Sequence, residues 1–128
     1  MVSGVSYQEG YMKFLFVLHD PPYGTERTFN GIRWAREVAG TGDQHEVKVF
    51  LFGDSVGAAK AGQVTPNGYY NLASMVRGLL AKDIEVGCCG ICLDARGLDE
   101  KDLVLGAARS SMSQLAEWTG WADQVINV

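Results

Sequence analysis

Cys89-Gly90-Ile91-Cys92 places two thiols three positions apart, directly after a short apolar run that has the character of a strand. A pair at this spacing can close into a disulfide, hand a sulfur atom from one thiol to the other, or supply half of a zinc site. The reactive form of a cysteine is the thiolate. Backbone N–H groups at a helix start and a nearby cation, here Arg96, are expected to favour it and to pull the pKa below the usual value of about 8.5. Gly90 between the thiols, with Asp94 and Arg96 after them, reads as an open polar loop of the kind that carries function. Cys88, the third cysteine, faces opposite to Cys89 if the strand continues, and is read as a small packing residue.

Other chemistry-bearing residues are sparser. His19 follows the first apolar run and has acid–base capacity, although a single His-Asp pair also serves as an ordinary loop contact. Tyr23, Gly24, Tyr69 and Tyr70 are candidates to wall a pocket, or to pack helix on sheet. Trp34, Trp118 and Trp121 sit on or beside helices, where core or subunit-interface burial is expected. A structural zinc site needs four ligands, and His19 and His45 are isolated, so no metal is expected. With neither G-x-x-x-x-G-K-[ST] nor G-x-G-x-x-G after the first strand, nucleotide binding lacks its usual signature, and no cofactor is expected. A thioredoxin-like arrangement needs a later loop proline, and no proline follows Pro66.

The elements that must position these residues alternate between two periodicities. Residues 12–18 (MKFLFVL) and 46–52 (EVKVFLF) are short, apolar and bounded by turn residues, as expected of strands buried on both faces of a parallel sheet. Residues 84–88 and 124–128 look similar but shorter. Residues 25–39 carry Phe29, Ile32, Ala35 and Ala39 at helical spacing, with Thr25 as the expected N-cap. Tyr69, Leu72, Ala73, Val76, Leu79 and Leu80 repeat the pattern. Residues 54–61 read as a shorter helix closed by Gly62, and Ser111 with Gln114 as a capping box opening a helix that Gly120 ends. Residues 103–108 offer a weaker strand signal, because Gly106 and the alanines argue against it. Strands interleaved with helices predict an α/β sandwich around a mainly parallel, roughly five-stranded sheet. In such sheets ligands gather at the carboxyl ends of the strands. Three loops emerge there: residues 19–24, the loop beginning at Gly53-Asp54, and residues 89–97.

The chain has 128 residues, 47% hydrophobic and 20% charged, which suits one folded domain and excludes disorder as the main state. Residues 1–11 are expected to be a soft extension and residues 12–128 a single domain. A net charge of −4 with no basic run argues against nucleic acid and anionic membranes as partners. Three cysteines within five positions cannot staple distant parts of a secreted fold, so a reducing cytoplasm is expected.

Several ordered blocks together carry a family resemblance: Pro22-Tyr23-Gly24-Thr25-Glu26 leading to Phe29-Asn30, Leu51-Phe52-Gly53-Asp54-Ser55-Val56, Gly62-Gln63 through Gly68-Tyr69-Tyr70-Asn71, and residues 89–97 (CGICLDARG). From Met12 onward the chain resembles the DsrE/DsrF-like proteins, and most closely the YchN-like branch. The resemblance implies a flavodoxin-like three-layer sandwich, assembly into homotrimers or homohexamers, and cytoplasmic sulfur relay with a cysteine persulfide. Its partners would be a small sulfur-containing donor or acceptor, or a partner protein thiol. In the sulfur carriers the working cysteine stands eight residues before the glycine of an Arg-Gly step, and Cys89 stands eight before Gly97. Cys92 is a second thiol that single-cysteine carriers lack, and it leaves sulfurtransferase and sulfur-reductase-like activity both open. A dithiol redox switch and a non-catalytic ligand-binding or assembly module are the rival readings.

Overall fold

The computed structural model describes residues 10–41, 45–66 and 70–128. Residues 1–9, most of the expected extension, and Tyr69 lie outside them. Five strands, β1 (Lys13–Leu18), β2 (Glu46–Leu51), β3 (Glu85–Cys89), β4 (Ala108–Ser110) and β5 (Gln124–Asn127), form one sheet in the order β4-β3-β2-β1-β5. Every neighbouring pair is parallel. The helices are α1 (Arg27–Ala39), α2 (Leu72–Ala81), α3 (Gly90–Ala95) and α4 (Met112–Trp121).

Alternation along the strands sorts side chains to two faces. Phe16 meets Trp34 of α1 edge-on at 5.4 Å, and a Cβ built on Gly31 would lie only 2.6 Å from Leu18, so this face is the α1 side. Leu18 pairs with Leu51, and Leu51 with Cys88, which puts Cys88 on the α1 side too, fully buried. The opposite face belongs to α4: Trp118 stands edge-on to Phe50 at 6.1 Å and crowds Gly87, where a Cβ would lie 3.2 Å from the indole ring. Cys89, two residues beyond Gly87, falls on the α4 side. The core runs through both layers, with Leu15, Phe16, Leu18, Phe50 and Leu51 essentially inaccessible. Each such side chain contributes about 1.5–3 kcal/mol of burial.

Several local expectations shift. Helix α1 begins two residues later than its expected N-cap: Thr25 donates its hydroxyl to the Asp20 carboxylate at 3.0 Å, and Glu26 takes the N-cap position without a side-chain bond. The segment after β2 is a 3-10 helix over Gly53–Ala59, held by Ser55, whose hydroxyl accepts from the Phe52 N–H and reaches the Leu18 carbonyl at 2.7 Å. Ser111 caps α4 by accepting the Gln114 N–H at 3.1 Å, while the Gln114 side chain turns to Glu117, so only half of the capping box forms. Helix α4 continues through Gly120 to Trp121. The weak strand signal over 103–108 resolves as β4 a few residues later, at Ala108–Ser110, in register with β3. Tyr11, expected in the extension, donates its hydroxyl to Glu46.

Candidate functional site

The cysteine pair sits where β3 turns into α3. Cys89 is the last residue of β3, in register with Ser110 of β4, and is also the N-cap of α3. Parallel strands end together, so the loop after β2 meets the first turn of α3. There the Gly53 N–H donates to the Cys92 sulfur at 3.1 Å. Gly53 makes this approach with φ +61°, a left-handed conformation that suits glycine. Cys92 is held at a second point, since Arg96 Nη1 donates to its carbonyl at 2.8 Å. The same guanidinium grips Asp54, with Nε 3.1 Å from Oδ1 and Nη2 on the same oxygen.

Asp94 faces the other way. Both its oxygens take Arg109 of β4, at 2.8 and 2.9 Å, a fork-to-fork pair that fastens α3 to the sheet edge. The Arg109 guanidinium holds the Asp94 carboxyl below its usual range. Gly90 lies beneath that guanidinium, and a Cβ there would stand 2.9 Å from it. Gly90 is thus where the arginine crosses the start of α3.

The electrostatics of Cys89 correct one expectation. Its residue is only 7% exposed, and burial pushes its thiol above the ordinary range, with a hydrogen bond to the Cys92 side chain adding to the rise. The N–H groups of Cys92 and Ile91 pull the other way and lose. Arg96 does not act on this sulfur, because its charge is spent on Asp54 and the Cys92 carbonyl. The resting site therefore holds Cys89 as a protonated thiol beside two donors aimed at an anion. All three cysteines are free thiols.

His19 and Tyr23 stand apart from the pair. His19, at the end of β1, bonds Asn127 of β5 through Nε2 at 2.9 Å and stacks on Phe52 at 5.9 Å. Tyr23 accepts the Leu72 N–H at 3.1 Å and donates to Gln63, pinning the start of α2. With Gly24, Phe29 and Tyr70 it lines a cleft of about 300 Å³ that neither cysteine enters. Tyr69, also expected there, lies outside the described residues. Gly53, Asp54 and Arg109 are the site residues to which motif reading assigned no role; Gly53-Asp54 was visible as a loop at the right edge and within a family-like block, and Arg109 carried no signal. Among the described residues, no cluster of three or more His, Cys, Asp or Glu side chains could hold a metal ion, and no helix is long and apolar enough to cross a membrane.

The sequence model of the DsrE/DsrF-like family matches residues 12–128. The chain belongs to the DsrE/DsrF-like family. It is 33% identical to the protein YchN of Escherichia coli K12 over 114 residues, covering 89% of this chain and 97% of YchN. An uncharacterized protein of Methanopyrus kandleri is 35% identical over 118 residues, 92% and 95% of the two chains. The crystal structure of E. coli YchN superposes with a TM-score of 0.85 at 32% identity, spanning 91% of this chain and 99% of that one. This DsrE/DsrF-like chain thus falls in the YchN-like branch and has its parallel-sheet sandwich. The family as a whole is associated with sulfur relay.

Proposed function

We propose that this protein carries sulfane sulfur as a cysteine persulfide on the Cys89–Cys92 pair, taking it from a small donor and yielding it to an acceptor thiol. The observation that carries the reading is the convergence of two free thiols and three backbone donors, the N–H groups of Gly53, Ile91 and Cys92, at the carboxyl edge of the sheet. A persulfide anion on Cys89 would find the Ile91 and Cys92 donors already oriented, which is how fixed dipoles stabilise a charge that appears only during turnover. Membership of a family associated with sulfur relay points the same way.

Free thiols at the working site suit a reducing cytoplasm, and self-association into trimers or hexamers accords with apolar side chains left bare, Leu105 at 98% and Ile91 at 80% exposure. A dithiol switch is the second reading, favoured by the contact between the two thiols. Cyanolysis separates them. After incubation with a sulfane donor and desalting, cyanide should release close to one equivalent of thiocyanate per chain, and none from the Cys89→Ser/Cys92→Ser variant. Release of none from the wild type, with a Cys89–Cys92 disulfide formed instead, would hand the site to the switch.

A further inference from the structure

The two thiols are not equivalent. Cys89 is buried at the strand end, whereas Cys92, on the first turn of α3, is only partly buried. The Gly53-Asp54 loop takes hold of Cys92 at both ends: the Gly53 N–H reaches its sulfur, and Asp54 secures the Arg96 that donates to its carbonyl. Negative charge on the Cys92 sulfur therefore meets a donor fixed by a neighbouring strand.

We infer that Cys92 is the thiol that meets the sulfur donor and that Cys89 takes the sulfur from it second, so the pair is a two-step relay running from the partly buried cysteine to the buried one. The inference rests on the sulfur-carrying reading above and assigns the order within it. In the first step the Cys92 thiolate attacks the outer sulfur of a small persulfide, R–S–SH. The Cys92 S–S bond forms, the donor S–S bond breaks, and the donor leaves as the thiolate R–S⁻ with the electron pair, taking up the proton that Cys92 released on ionising to become R–SH. In the second step the Cys89 sulfur attacks the outer sulfur of Cys92–S–SH, leaving Cys89–S–SH and returning Cys92 to the thiol. The Cys89 proton passes to the Cys92 sulfur it already faces. Neither step has a net change of oxidation state, and no further reactant is needed.

The raised pKa of Cys89 supports this order, since a thiol that keeps its proton is a poor first nucleophile. Attack at the inner sulfur instead would give a disulfide and hydrogen sulfide, which is discharge, not relay.

The test is peptide-resolved mass spectrometry on a time course with glutathione persulfide, using the wild type, Cys89→Ser and Cys92→Ser. Cys89→Ser should gain sulfur within about threefold of the wild-type rate and keep it on Cys92, whereas Cys92→Ser should load at least about tenfold more slowly. The wild type should finish with the sulfur on Cys89. Loading that survives in Cys92→Ser and vanishes in Cys89→Ser overturns the order of the thiols alone. No gain in any of the three proteins sinks the sulfur-carrying reading and this proposal with it. Iodoacetamide on the folded wild type gives a check free of mutational damage: Cys92 should alkylate about tenfold faster than Cys89, and the reverse ranking overturns the assignment.

Discussion

Cys88 and Cys89 are adjacent in sequence and on opposite faces of the sheet, and that single alternation separates a packing residue from a working one. Burial pushes the Cys88 thiol up to about 12 from an ordinary 9.0. In the unfolded chain the thiol ionises from pH 9 upward, while in the native state it holds its proton until about 12, so the folded state binds more protons across that interval. Stability must fall with rising pH there, at up to about 1.4 kcal/mol per pH unit. Urea titrations of the wild type and Cys88→Ala at successive alkaline pH values should show a shallower decline in the variant; equal slopes would mean that Cys88 is not the group responsible. The C-x-x-C was legible as chemistry because its spacing is local. Its activation was not, because Arg96 is neutralised by Asp54, forty-two residues away, and Cys89 is desolvated by strands whose register no motif records.

Among elements, α4 is lightly anchored. It covers the sheet face opposite α1, has Trp118 as its one buried residue, and starts from a single side-chain cap, Ser111. Loss of that cap should therefore register in global stability: Ser111→Ala is expected to lower the unfolding free energy by about 1 kcal/mol in denaturant titration. A change near zero would show that the cap is dispensable. Strands β1 and β2 were readable from their apolar runs, and α1 and α2 from their helical spacing. Strand β4 was blurred because Ala108-Arg109-Ser110 has no β-branched or aromatic residue, and it exists through its pairing with β3. Helix α3 read as loop because six residues opening on glycine are too few to show a period. These two elements are the ones that hold Cys92 and Arg109, so the least legible part of the fold is the part that frames the site.

At the scale of the whole molecule, a sheet ordered β4-β3-β2-β1-β5 brings the ends of β1, β2 and β3 to one rim, with the thiols beside the β2 loop. The crossing from β4 to β5 passes over the entire sheet and carries α4. Side chains such as Leu105 and Met112 remain uncovered in the single chain, and the proposed assembly of copies would have to cover such surface. Sulfur carriage and assembly can be read together by native mass spectrometry of the folded protein before and after exposure to a sulfane donor. The account predicts a trimer or hexamer in which each subunit gains the mass of one sulfur atom, and an unchanged mass for the Cys89→Ser/Cys92→Ser protein. It is contradicted if the wild type gains no sulfur from any donor, or if the double variant gains as much.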